Sequence, residues 1–106
     1  MIKLKDIGSF KSIPEILDDI IKENISNLDE HLAKDWDINK NISISKYTDL
    51  SPLDYALIME AFESVKWLVE HGANLNAKDR PSFLTAVRYC DEKIIQYLVS
   101  HGAKVN

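Results

Sequence analysis

The sequence predicts an all-α fold, a helical repeat solenoid of about three helix–turn–helix units with the first one degenerate. Three observations predict it. Sliding the chain by 30 residues lays Ser51–Asn76 over Pro81–Asn106 without a gap. Identities then fall at Ala56/Ala86, Leu68/Leu98, Val69/Val99, His71/His101, Gly72/Gly102, Ala73/Ala103 and Asn76/Asn106, and Leu53/Phe83, Leu57/Val87, Val65/Ile95, Trp67/Tyr97 and Leu75/Val105 are conservative pairs. The matches sit at apolar and turn positions while the charged positions drift, as in units that share a core and differ on their solvent faces. A weaker third copy emerges at a shift of 37 residues.

The first unit spans about residues 12–39. Ser12 and Glu15 have capping-box spacing, with Pro14 in the first turn. Ile20-Ile21-Lys22-Glu23 lies over Leu57-Ile58-Met59-Glu60, Leu28 and Leu32 over Val65 and Val69, and Ile38-Asn39 over Leu75-Asn76. Asp35 and Trp36 replace the Gly and Ala of the other units, a departure suited to a terminal capping unit whose outer face accepts no neighbour. Residues 1–11 are expected to lie along this first helical pair as a lid. The connection over residues 40–50 is long. In it Ile42 and Ile44 alternate with Ser43 and Ser45, which predicts a short two-stranded element.

The second unit, about 51–76, starts at Ser51-Pro52-Leu53-Asp54. Ser51 can cap, Pro52 suits the first helical position, and Asp54 sits where a capping-box carboxylate reaches back. Leu53, Ala56 and Leu57 follow at i, i+3 and i+4. A break comes near Glu60-Ala61, and Val65, Leu68 and Val69 repeat the spacing up to His71-Gly72, where glycine supplies the left-handed residue after the last turn. The link Ala77-Lys78-Asp79-Arg80 is short and is not expected to form a full hairpin. In the third unit, about 81–106, Asp91 caps the second helix, Ile94, Ile95, Leu98 and Val99 are its apolar positions, and Gly102 ends it. Ile95, Leu98 and Val99 match inward positions of the middle unit, which assigns Ile94 and Tyr97 to the outer side.

Ser51-Pro52-Leu53-Asp54-Tyr55-Ala56 resembles the T-P-L-H-x-A start of the ankyrin repeat. Val65–Asn76 closely resembles its second helix and G-A-D-V-N ending, and Ile95–Asn106 matches that half again. The resemblance covers about residues 12–106 and is strongest over 51–106, within a single ankyrin-repeat domain over residues 1–106. The usual Asp-Gly turn of the family is missing from the 77–80 link. The resemblance implies side-by-side stacking, with first helices and loop tips lining one concave face. It also implies that partner contacts come from the ends of first helices, here Ile58, Met59, Arg88 and Tyr89, and from the loops, here Lys46, Tyr47, Lys78 and Arg80. Lys22 is the equivalent in the degenerate unit. Ile58 and Met59 are apolar where the repeat should face water, so they either touch a partner or lie under the 40–50 loop. Tyr, Arg and Met are enriched at interfaces.

Composition narrows the classes. A chain of 106 residues buries a modest core without disulfides or metals. A net charge of −4 argues against general binding to nucleic acid or anionic membranes. One cysteine, Cys90, excludes an internal disulfide. No stretch has the length of a membrane span, and the N-terminus lacks an apolar signal segment, so the cytoplasm is the expected location. The sequons at Asn24 and Asn41 are then chance. His71 and His101 are equivalent residues before the glycine and fit helix-end electrostatics better than a metal site, since no further ligands complete a set. His31 has no partner at useful spacing. Cys90 lacks a neighbouring base, and Asp18-Asp19 and Asp91-Glu92 read as helix-end and solvated charges rather than an acid–base pair. Three glycines cannot build a phosphate loop. No enzyme, cofactor or metal is expected.

The expected function is a protein–protein interaction module that binds a protein partner through loops and first-helix surface. One alternative is a toxin-immunity or enzyme-inhibitor protein, since small stand-alone bacterial proteins of this kind resemble such partners and an acidic chain suits a basic target. A further alternative is a self-assembling structural unit, with homodimer contact through the C-terminal unit, because no capping helix follows Lys104-Val105-Asn106.

Overall fold

In the computed structural model residues 15–105 are described. They form six helices and one hairpin: α1 Glu15–Ile21, α2 Ile25–Ala33, β1 Ile42–Ser45, β2 Thr48–Leu50, α3 Pro52–Ile58, α4 Phe62–Glu70, α5 Ser82–Tyr89 and α6 Glu92–Ser100. The lid expected of residues 1–11 and the Ser12–Pro14 part of the first capping box lie outside the described residues. Helices this short are marginal alone, so their ends and their packing hold them.

The ends repeat. Ser51 Oγ accepts from the Asp54 amide at 3.1 Å and Asp91 Oδ1 from the Ile94 amide at 3.2 Å. Each second helix closes on a left-handed residue, with the next amide bonded back to the carbonyl five residues earlier: Ala73 to Leu68 and Ala103 to Leu98, both at 3.0 Å, and Trp36 to His31 at 3.2 Å. Gly72 and Gly102 hold φ near +100° and +109°. In the first pair Asp35 takes that conformation at φ 68°, which explains how the pair keeps its turn without glycine. Glu23 and Glu60, at φ 56° and 57°, make the same reversal between the two helices of the first and second pairs.

First helices pack side by side, α1 on α3 and α3 on α5, and second helices form the other layer, α2 on α4. Phe62 meets Tyr97 edge to face at 5.9 Å, linking α4 to α6. Leu28, Leu57, Val65, Leu68 and Leu98 are fully buried between the layers. Trp36 stacks on Trp67 at 6.3 Å, and the Trp67 indole donates to Asp29 at 2.8 Å, so the substituted turn of the first pair packs an aromatic where the others have alanine. Two asparagines clamp neighbouring pairs. Asn39 Nδ2 donates to the Gly72 carbonyl at 3.2 Å while its Oδ1 accepts from the Asn74 amide at 2.7 Å; Asn76 does the same to Gly102 at 3.1 Å and Lys104 at 2.8 Å.

β1 and β2 pair antiparallel, Ile42 with Leu50 and Ser43 with Asp49, and β2 rests on α3. The helical solenoid is thus as expected, and the small sheet is the two-stranded element that the Ile/Ser alternation announced. The 77–80 link forms no strand.

Five expectations are corrected by packing. Ile94 and Tyr97 do not form the outer side of α6. Ile94 is only 5% exposed and joins the core, and Tyr97 packs on Phe62 of α4, as Ser64 and Trp67 of the middle pair turn toward the first pair. Val99, expected inward, is 40% exposed. Asp54 does not complete a capping box; its buried carboxylate accepts from Thr85 Oγ1 at 3.2 Å and joins α3 to α5. Asp19 is buried rather than solvated, and His31 has a partner after all: its Nε2 lies 2.9 Å from Asp19 Oδ2, with Asn27 Nδ2 at 3.1 Å from the other oxygen. The pair bridges α1 and α2 across a turn that sequence spacing does not reveal.

Candidate partner-binding surface

Leu84, Thr85 and Arg88 share one stripe of α5, and Pro81 precedes its first residue. Together with Ile58 at the end of α3, Asp79, Arg80 and Tyr89, they line an open cleft of about 280 Å³. Four of the residues expected at a partner surface therefore meet: Ile58, Arg80, Arg88 and Tyr89. Ile58 is half-buried in the wall, whereas Leu84 is 60% exposed.

Arg80 is held loosely from below. Its Nε stands 3.9 Å from Asp54 Oδ2. Burial pushes the Asp54 carboxyl above its ordinary range, against hydrogen bonds from Thr85 and Ser51 and the charge of Arg80. Arg88 forms no ion pair among the described residues. The cleft thus offers a guanidinium with open donors beside apolar side chains.

The other four expected residues lie apart. Lys46 and Tyr47 form the hairpin turn, with Lys46 Nζ 5.5 Å above the Tyr47 ring and the ring almost wholly exposed. Met59 caps α3, outside the cleft lining, and is 46% exposed, so the 40–50 loop does not cover it. Lys78 is exposed in the 77–80 link, and Lys22 pairs with Asp18 at 3.1 Å. Leu84 and Thr85 escaped the sequence reading because the repeat alignment sets them over Asp54 and Tyr55, which carry no interface signature. The spacing from Leu84 to Arg88 was the signal that placed them.

The residues weighed for chemistry serve helix ends. His71 Nδ1 donates to the Trp67 carbonyl at 2.8 Å and its ring lies on Trp67 at 4.1 Å; His101 repeats this on Tyr97. Cys90 Sγ donates to the Leu57 carbonyl at 3.1 Å, and burial, with Glu60 and Asp91 adding, pushes the thiol up to about 11. Nucleophilic attack needs the thiolate, so this environment acts against it. Among the described residues no three His, Cys, Asp or Glu side chains gather as metal ligands, and no helix is long and apolar enough to cross a membrane.

Residues 17–106 match the family model of ankyrin repeats in three copies. A search of curated proteins finds no match to the chain. The matched stretch covers the three helical pairs from the third residue of α1 onward, including the pair that carries Asp35 and Trp36 in place of Gly-Ala.

Proposed function

The chain belongs to the ankyrin-repeat family, whose repeats are in general protein-interaction modules, and we propose that it binds a protein partner through the ends of α3 and α5 and the hairpin tip. The α3–α5 cleft carries this reading. It gathers Ile58, Tyr89 and two arginines where stacked first helices leave a surface free, and such residue types dominate the energy of protein interfaces. Met59 and Tyr47 extend the surface on either side. Rigid complementarity supplies the mechanism, since the surface stands on two helices joined by the buried Asp54–Thr85 bond.

The test is affinity capture from the source cell with mass spectrometry. Ile58→Asp with Met59→Lys is expected to keep the parent's thermal melt and lose the partner. A double variant that binds with unchanged affinity removes this surface from contention.

A second reading is self-association through the last helical pair. It rests on Leu84, Val87, Val99 and Val105, all exposed, whose counterparts Asp54, Leu57, Val69 and Leu75 in the middle pair are wholly or partly buried.

A further inference from the structure

Building on the protein-binding reading, we propose that the α3–α5 cleft docks an acidic segment of the partner. An Asp or Glu side chain of that segment pairs with Arg88, and an adjacent aliphatic or aromatic side chain lies against Ile58, Leu84 and Tyr89.

Charge is the first support. The molecule is acidic, at −4, yet the cleft lining holds Arg80 and Arg88 against Asp79 alone. Arg80 has the buried Asp54 beneath it, whereas Arg88 has no acidic partner among the described residues. A guanidinium presents paired donors that match a carboxylate, and charge-assisted bonds of this kind are the strong ones.

Valence is the second. Asp79 in the lining and Asp54 behind Arg80 offset the two arginines, so Arg88 is better matched by a single negative charge than by a double one. A phosphate, with nearly twice the charge, meets more repulsion from two negative charges than a carboxylate does.

Shape and polarity are the third. Leu84 stands 60% exposed on the same stripe as Arg88, one helical turn before it. Its counterpart in the middle pair is the buried Asp54, so the packing of the repeat does not itself call for a leucine there. A cleft of about 280 Å³ lies at the lower edge of the range for sites that enclose small molecules, and it fits side chains of a segment lying across it.

The experiment selects a displayed library of random short peptides on the full chain and on Arg88→Glu. The parent is expected to enrich peptides with Asp or Glu next to Leu, Ile, Phe or Tyr. A synthetic peptide from that pool should bind Arg88→Glu about 10- to 100-fold more weakly. Changing its acid to Lys should restore binding to Arg88→Glu and abolish it for the parent, and changing it to phosphoserine should weaken binding to the parent. Leu84→Asp should also lose the peptide. Arg88 is exposed, so the parent's thermal melt is expected for the charge variant and serves as the folding control. Selection without acid enrichment, equal binding to Arg88→Glu, tighter binding of the phosphoserine form, or no selected peptide overturns the proposal. An Arg88→Glu chain that still captures the natural partner lost by Ile58→Asp with Met59→Lys overturns it too, while leaving the protein-binding reading in place.

Discussion

Cys90 shows how one side chain can join two repeats and lose its reactivity by doing so. It ends α5 in an extended conformation, where Glu60 in the preceding pair turns left-handed, and its thiol reaches the carbonyl of Leu57. Removal from water raises the thiol from an ordinary 9.0 to about 11. At pH 8 the folded chain should therefore react with iodoacetamide about a hundredfold more slowly than the urea-unfolded chain. The folded value is the higher one, so the thiol's contribution to stability is complete below about pH 9 and is lost as pH rises toward 11. Equal alkylation rates for the folded and unfolded chains refute the burial of this thiol. Asp19 and His31 tell a similar story: neither is remarkable in sequence, and each is half of a 2.9 Å bridge.

Buried apolar side chains between the two layers hold the helices in place. Leu98 is fully buried where α6 meets the middle pair. Leu98→Ala should cost about 2–5 kcal/mol in urea unfolding, the range for cavities left by buried leucine. Val99→Ala, one residue on and exposed, should cost far less. A Leu98→Ala chain that unfolds at the parent's midpoint means the buried face of α6 is misplaced. The asparagine clamps act between pairs rather than within them. Asn76→Ala removes the bonds to Gly102 and Lys104 at an exposed site, so about 1 kcal/mol of stability should go. The more specific sign is faster hydrogen exchange at the Lys104 amide, and unchanged protection there rejects the clamp.

At the scale of the molecule, stacking assigns each position of a helical pair to the preceding or the following neighbour. Ser64 donates to the Ile20 carbonyl at 2.7 Å and Trp67 to Asp29, both backward; Asp54 and the Leu57 carbonyl engage α5 and Cys90, both forward. Forward positions of the last pair are Leu84 and Val87, 60% and 53% exposed. If they associate copies of the chain, sedimentation velocity at micromolar concentration should show dimer for the parent and monomer for Val87→Lys with Val99→Lys at an unchanged melt. A monomeric parent closes the self-association reading. Ile94→Lys should instead unfold the chain, since it buries a charge in the core.

Periodicity and turn chemistry by themselves determined the helical pairs, their caps and their number. Caps and left-handed turns are local, and a repeated core writes the same apolar residues at a fixed spacing. The Ile/Ser alternation determined the hairpin in the same way, and the interface-type residues at first-helix ends and in loops were legible as types. Tertiary structure alone decided which neighbour each side chain faces. Ile94 and Val99 exchanged their expected sides because two apolar faces flank each second helix, and an i, i+3, i+4 pattern does not say which face meets which pair. It decided the Asp19–His31 bridge and the Asp54–Thr85 bond, since both join residues that only stacking brings close. It also separated Ile58, Arg80, Arg88 and Tyr89, which share one cleft, from Lys46, Tyr47, Met59 and Lys78, which stand apart. A cleft exists only where α3 and α5 lie against each other, and the residues that form its walls are not neighbours along the chain.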